Sequence, residues 1–262
     1  MTTIGSAAAG QTQGPPRLSV IIATWNAART FERCLASLAA QETSDWELLV
    51  ADGGSKDGTV ALIERYAGQI AWWQSCRDSG IYDAWNQALS HASGCYVCFL
   101  GADDAWADAG ALARLYAAMG NTDYDLVTSK GLIFNPASGR RLVFGGPWDY
   151  RQIGRRMVVC HPGLLHRRTL FERFGNFDTR YRIAGDLDFL LRLPADTRTL
   201  HVDATSVLIE DAGVSRRNVM ARLREQRHVL SRCPRYGPWR AWWAWFDKLW
   251  RYPIARTFGL PH

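Results

Sequence analysis

Strand-length apolar runs and amphipathic helical stretches alternate through the first hundred residues of this 262-residue chain, and that alternation constrains the fold most. Leu18 to Thr24 is continuously apolar but for Ser19, bounded by Pro16 and by Trp25-Asn26, as expected of a strand buried on both faces. Phe31, Leu35, Leu38 and Ala39 then recur at helical spacing, giving an amphipathic helix from about Ala28 to Gln41. Trp46 to Ala51 reads as a second strand. It stops at Asp52-Gly-Gly-Ser-Lys-Asp-Gly-Thr59, where glycine permits tight turns and Asp57 or Thr59 can cap a helix from Val60 to Tyr66. A short strand, Ile70 to Gln74, a helix, Ile81 to Ala92, and a strand, Cys95 to Leu100, complete a series of βαβ units. The expected architecture is α/β: a Rossmann-like mixed sheet, mainly parallel in the N-terminal half, with helices on both faces.

After a helix at about Ala109 to Met119 the pattern becomes irregular. Leu126 to Ser129, Leu132 to Phe134 and Arg141 to Phe144 read as shorter strands, antiparallel in part, separated by Asn135-Pro136 and Gly145-Gly146-Pro147. Helices Arg168 to Phe174 and Asp186 to Leu193 precede strands near Thr199 to Val202 and Val207 to Ile209. With 47% apolar and 21% charged residues the chain has a globular balance, at the upper end of length for one domain. The expected division is a flexible tail over 1–16, an α/β domain over 17–215 with halves at about 17–104 and 105–215, and a helical extension over 216–262.

The first sixteen residues carry neither a basic segment nor an apolar one, so they do not read as a signal peptide. No run approaches the roughly 20 apolar residues of a membrane-spanning helix. The expected compartment is the cytoplasm. Six cysteines scattered from Cys34 to Cys233 do not form a secreted-type disulfide framework. Cys95 and Cys98 look like a redox or zinc pair until placed on a strand, where residues three apart point to opposite faces, and they read as buried thiols. No Walker loop, zinc cluster or serine triad is present in the sequence.

Asp103 and Asp104 follow the strand Cys95 to Leu100 directly. Paired carboxylates there can hold a hard divalent cation at the carboxyl edge of a sheet, where open α/β folds bind ligands; a turn or a helix N-cap is the competing reading. Asp52 reads equally as a ligand group or a turn former before Gly53. Asp186 can be a reactive carboxylate or an N-cap of the helix behind it. Asp188 with Arg192 reads as an i, i+4 pair.

These segments taken together, Leu18 to Asn26, Asp52 to Thr59, Asp78-Ser-Gly-Ile-Tyr-Asp-Ala-Trp-Asn86, Gly101-Ala-Asp-Asp104 and Ala184-Gly-Asp-Leu-Asp-Phe-Leu-Leu-Arg192, closely resemble family 2 glycosyltransferases of the GT-A fold. The likeness runs from Leu18 to about Ser215 and is greatest to the bacterial subgroup that builds exopolysaccharide and O-antigen repeat units. It implies a metal-dependent, inverting, hexosyltransferase-type enzyme that moves a sugar from a nucleotide-diphosphate sugar to a hydroxyl of a carbohydrate acceptor, expected to be lipid-linked. Carried over residue by residue, it implies that Thr24, Asn26 and Asp52 hold the nucleotide base, that Asp78 extends the same cleft, and that Asp103 contacts ribose or metal. Asp104 would hold Mg²⁺ or Mn²⁺, and Asp186 would be the catalytic base, with Gly185 in place of the acid that often precedes it. His161 matches a position near the donor or acceptor sugar, and a loop-packing role is equally open. The alternatives are a nucleotidyltransferase, although Ala23 to Ala27 is no basic glycine-rich loop, and a catalytically silent nucleotide-sugar-binding protein of the same fold.

The net charge of +6 is concentrated beyond Val214, where eleven basic residues face only Glu225 and Asp247. There Trp242, Trp245, Phe246 and Leu249 would share one helical face, flanked by Trp239 and Trp250 and bordered by Arg240, Lys248 and Arg251. That pattern suits an in-plane helix on an anionic membrane surface, and so a peripheral enzyme on the inner face of the cytoplasmic membrane. An aromatic helix packed on protein is the alternative. Nucleic acid is not an expected partner.

Overall fold

The computed structural model describes residues 3–5, 15–211, 218–239, 241–243 and 245–246. Four parallel strands form its nucleus: β2 (Leu18–Thr24), β3 (Trp46–Asp52), β4 (Trp72–Ser75) and β5 (Tyr96–Gly101). Their spatial order is β4-β3-β2-β5, so the chain winds to one side of β2 and then returns to its other side. The carboxyl ends of β2 and β5 therefore border a topological switch point, the place where such sheets open a crevice.

Alternating side chains explain the helices on both faces. Val20, Ile22, Val50, Cys98 and Leu100 pack with Phe31, Leu35 and Leu38 of α1 (Ala28–Ala39), Ile63 of α2 (Thr59–Arg65) and Leu112 and Leu115 of α4 (Ala111–Met119). Ile21, Leu49, Val97 and Phe99 pack the other way, against Tyr82, Trp85 and Ala88 of α3 (Ile81–Leu89). The same core takes in α5 (Thr169–Phe174), α6 (Gly185–Arg192) and α7 (Val219–Arg232).

The second half adds β6 (Asp104–Trp106), β7 (Leu126–Phe134), β8 (Arg141–Phe144), β9 (Leu165–Arg167) and β10 (Thr199–Glu210) to one ten-stranded sheet. Antiparallel strands are expected in this half, and the pairs are β5 with β9, β7 with β8 and β9, and β10 with β6, whereas β10 runs parallel to β7. Several segments differ from the sequence reading. The two short strands expected at each end of this region are continuous, because β7 bridges its central Lys130-Gly131 and β10 shifts register on either side of Thr205. β6 and β9, three residues each, carry too little pattern to be read.

Three residues of the expected tail, Thr3–Gly5, form β1, antiparallel to β4. Cys98 is buried as expected, but Cys95 is exposed, one residue ahead of β5. Asp57 Oδ1 accepts Thr59 N–H at 3.1 Å at the start of α2, as expected, and the Asp57 and Thr59 side chains also accept Ala28 N–H at 3.1 Å and Ala27 N–H at 2.8 Å at the start of α1.

Past α7 the described residues from 237 to 246 are helical. Ala241 is fully buried beside Val229 and Leu230, and Arg227 lies over the Trp245 ring at 5.3 Å, so this face docks on the globule. Trp239, Trp242, Trp243 and Phe246 point outward, with Trp242 and Phe246 stacked at 5.4 Å. The exposed aromatic face thus excludes Trp245 and includes Trp243. Leu249, Trp250 and the basic border at Arg240, Lys248 and Arg251 lie outside the described residues. Among those described, no helix is long and apolar enough to cross a membrane.

Candidate active site at the sheet edge

Strand register builds the first wall. Asp52 ends β3 directly opposite Thr24 of β2 and Ser75 of β4, so three polar side chains share one row at the carboxyl edge. Thr24 Oγ1 and Ser55 Oγ donate to Asp52 Oδ1 at 2.8 and 2.5 Å; Ser75 Oγ, Gly54 N–H and Ser55 N–H donate to Oδ2 at 2.7, 3.0 and 2.9 Å. A carboxylate offers about four lone-pair positions. Those of Asp52 are taken up within the protein, and only 2% of the residue is exposed, so in this geometry it organises the loop that follows. Asn26 does the same from the turn two residues past β2: it sits at φ +48°, accepts Lys56 N–H through Oδ1 at 2.9 Å and donates its own N–H to Ser55 Oγ at 2.7 Å.

What this frame presents outward is Trp25, 71% exposed, and half-buried Asp78. They meet over Gly53, where an added Cβ would lie 2.8 Å from Asp78 Oδ2 and 3.3 Å from Trp25 Cδ1. Burial raises the Asp78 carboxyl above its usual range, with Asp83 and Asp52 adding to it and Gly80 N–H opposing. Trp25 did not figure among the sequence candidates. Its signal was an indole in a polar turn directly after a buried strand.

The carboxylate pair forms the second wall. Asp104 opens β6 and caps no helix, since α4 begins at Ala111 behind Gly110. Gly101 lets both acids close over the end of β5: a Cβ there would meet Asp103 Oδ1 at 2.6 Å and Asp104 Oδ2 at 3.1 Å, and Gly101 N–H donates to Asp104 Oδ2 at 2.8 Å. Burial, then the Asp103 charge, pushes the Asp104 carboxyl up to about 8. Asp103 is also raised, by burial first and then by Glu210. Two crowded, desolvated acids are what a bound cation would relieve. Among the described residues no three acids, histidines or cysteines cluster in metal-holding geometry. The donor set thus fits a small hard cation that takes one or two carboxylates and completes its shell with phosphate oxygens and water.

Beside this pair, Arg33 donates to the Asp103 carbonyl at 2.6 Å and to Glu210 Oε2 at 3.1 Å, while Arg29 donates to Glu210 Oε1 at 2.7 Å. The guanidinium groups, tethered by one buried glutamate, border the pair with positive charge.

Asp186 lies in the first turn of α6, behind the N-cap Ala184, and so is not the cap itself. Its Oδ1 accepts Leu187 N–H at 2.8 Å and the Tyr82 hydroxyl at 3.2 Å. Asp188 pairs with Arg192 at 3.5 Å, as the i, i+4 spacing suggested. His161, 5% exposed, stacks on Trp85 at 5.6 Å, and its Nε2 is buried without a hydrogen bond. Burial lowers its pKa, against the opposing pull of Asp186. Its neighbour Cys160 has its thiol pushed well up by burial and then by Asp104. Cys160 packs in the layer of α1 and α4, whereas His161 stacks on Trp85 in the layer of α3, so Asp104 acts on the first residue of the dipeptide and Asp186 on the second.

A single-sheet α/β domain with a carboxylate pair at its switch point defines a class of nucleotide-binding transferase folds, and comparison with known proteins narrows it. The model of the family described as Glycosyl transferase family 2 matches residues 19–167. A PGL/p-HBAD biosynthesis glycosyltransferase of Mycobacterium bovis is 34% identical over 198 residues, covering 73% of this chain and 76% of that protein. The putative glycosyltransferase EpsE of Bacillus subtilis is 25% identical over 185 residues, 68% of this chain and 66% of that protein. Among solved structures, S. aureus TarS 1-349 in complex with UDP-GlcNAc superimposes with a TM-score of 0.66 at 20% identity, covering 93% of this chain and 74% of that one. The mannosyltransferase PcManGT from Pyrobaculum calidifontis, in complex with GDP-Man and Mn²⁺, gives 0.66 at 20% identity, with 94% and 76% covered. This chain belongs to the family 2 glycosyltransferases, its fold is GT-A, and its activity is sugar transfer from a nucleotide sugar. The nucleotidyltransferase alternative is thereby set aside.

Proposed function

We propose that the chain is an inverting, metal-dependent glycosyltransferase acting in cell-surface polysaccharide synthesis, with a lipid-linked carbohydrate as acceptor. The observation that supports this reading is the carboxylate pair that closes over the end of β5 at the switch point, where a Cβ on Gly101 would meet Asp103 Oδ1 at 2.6 Å and Asp104 Oδ2 at 3.1 Å. The base of the donor would rest on the frame of Thr24, Asn26 and Asp52, against the exposed Trp25 face and within reach of Asp78. Asp103 would meet ribose or metal, and Asp104 would hold Mg²⁺ or Mn²⁺ against the diphosphate. That cation, when bound, supplies Lewis-acid neutralisation of the charge that gathers on the departing nucleotide. His161 would contact the donor or acceptor sugar.

In the reaction an acceptor hydroxyl oxygen attacks the anomeric carbon as the bond to the β-phosphate oxygen breaks, its electron pair leaving with the nucleoside diphosphate. Asp186 takes the hydroxyl proton through Oδ2, because the Tyr82 and Leu187 hydrogen bonds both fall on Oδ1. Attack from the face opposite the leaving group inverts the anomeric centre. The exposed Trp239, Trp242, Trp243 and Phe246 would hold the enzyme at a lipid surface carrying the acceptor. The test is a thermal-shift screen of UDP, GDP and other nucleoside diphosphates with Mn²⁺, followed by NMR of the sugar released from the matching donor. Preference for one base and initial release of the inverted anomer are expected. Retention of configuration, or no diphosphate binding, overturns the reading.

A further inference from the structure

A general base on the first turn of a helix can be no better placed than the turn itself. Two other elements hold this one. From α7, the Glu225 carboxylate accepts three consecutive backbone N–H groups: Arg182 at 3.1 Å, Ile183 at 2.8 Å and Ala184 at 2.9 Å. These run straight into α6, where otherwise unsatisfied N–H groups and the helix dipole favour an anion. From α3, the Tyr82 hydroxyl lies 2.9 Å from the Ile183 carbonyl and 3.2 Å from Asp186 Oδ1.

The packing allows no acid before Asp186. A Cβ at Gly185 would fall 2.8 Å from the Tyr82 ring, so the residue that replaces the expected first acid is the one that lets the phenol approach. Four residues further along α3, on the same face, Asn86 exchanges two hydrogen bonds with Phe177, at 2.8 and 3.1 Å. Burial and then the Asp186 charge push the Tyr82 phenol well above its ordinary range, so it stays protonated, and its one O–H is shared between the Ile183 carbonyl and Asp186 Oδ1.

We propose that Tyr82 and Glu225 are positioning residues for Asp186: the phenol occupies Oδ1 so that Oδ2 faces the acceptor hydroxyl, and the glutamate fixes the backbone that carries it. The assignment rests on reading Asp186 as the base. It explains why α7, which adds no candidate group to the donor cleft, is joined by four hydrogen-bonding contacts to the residues just before Asp186.

The test uses the full chain and Tyr82→Phe, Glu225→Gln and Asp186→Asn, alone and combined. The readouts are nucleoside diphosphate release from the UDP- or GDP-sugar that wild type hydrolyses fastest, UDP or GDP affinity with Mn²⁺, and the melting temperature. Tyr82→Phe is expected to lower kcat about tenfold, the scale of one hydrogen bond to a charged group, with donor KM and diphosphate affinity unchanged. Glu225→Gln should do likewise to a smaller extent. Neither should cost anything further in the Asp186→Asn background, as residues acting through one group are non-additive. If Tyr82→Phe does not fold, Glu225→Gln carries the same comparison. Normal kcat in both variants, or the same loss with and without Asp186, overturns the positioning role while leaving the base in place. Normal turnover of Asp186→Asn alone removes the base and the positioning role together.

Discussion

Thr24 and Asp52 face each other across the β2–β3 ladder, and the 2.8 Å hydrogen bond between them closes a row of polar side chains at the end of the parallel sheet. Asp52→Asn places an amide NH₂ where one carboxylate oxygen now meets only donors. Loss of stability of about 2 kcal/mol is expected, the cost of buried groups left unsatisfied. Urea unfolding measures it, and a change below about 0.5 kcal/mol would mean that the loop is held by other contacts. Weaker nucleotide binding should accompany the loss, through displacement of the 53–58 loop.

Asp104→Asn is expected to abolish the Mn²⁺ dependence of diphosphate binding without weakening the free enzyme. The acid is already pushed up to about 8 by burial and by Asp103, so an amide relieves a charge that the apo fold tolerates poorly. Calorimetric titration with UDP or GDP, with and without Mn²⁺, reads the first part and the melting temperature the second. An unchanged metal effect in the variant would take Asp104 out of the metal site.

Asp186→Asn should keep donor affinity and lose transfer by about 10² to 10⁴, the usual span for removing a general base. Donor binding and turnover must be measured on the same preparation, because Tyr82 and Leu187 both hydrogen bond to this side chain. Full turnover in a folded variant would direct attention to Asp178 and Asp188.

Glu210 ties Arg29 and Arg33 beside the carboxylate pair, and it gives stability a pH dependence. Burial pushes its carboxyl up, but the hydrogen bonds and charges of the two arginines outweigh this and leave its folded pKa below the ordinary glutamate value. A lowered folded pKa contributes stability that is present above the unfolded pKa and lost as pH falls through the folded one. Glu210→Gln should therefore be less stable than wild type near pH 7, by about 1 kcal/mol given the exposed arginines, and the gap should close below about pH 4. Chemical unfolding at pH 7 and at low pH checks this. A gap that persists at low pH assigns the loss to packing.

The parallel nucleus was legible in the sequence because strands buried on both faces read as near-continuous apolar runs, and Val20 to Ala23 and Tyr96 to Leu100 are such runs. The carboxylate pair stood out for the same reason, as charge at the end of an apolar stretch. Burial and partners were not legible. Asp52 looked like a free ligand group, and only the register of β2, β3 and β4 shows it enclosed by two hydroxyls from neighbouring strands. Glu225 lies about forty residues beyond the turn it holds, and no local pattern joins the two. The docked and exposed sides of the terminal aromatic segment depended on which small residue, here Ala241, allows close approach to α7.

That last division gives a prediction at the membrane. Trp239, Trp242, Trp243 and Phe246 are exposed, between 42% and 80% each, whereas Trp245 lies under Arg227. Changing the four outward residues to Ser should abolish co-sedimentation with anionic vesicles and leave the melting temperature and slow donor hydrolysis unchanged, since none of the four is a candidate site or positioning residue. Trp245→Ala should do the reverse, lowering the melting temperature through the lost contact with Arg227 while the outward face still binds lipid. Hydrophobic burial of several aromatic rings joined to attraction between arginines and acidic headgroups predicts weaker binding with rising salt, but not its disappearance. If wild type does not bind anionic vesicles at moderate salt and sediments as a dimer that the four-residue variant loses, the aromatic face covers a second copy of the chain instead of a lipid surface.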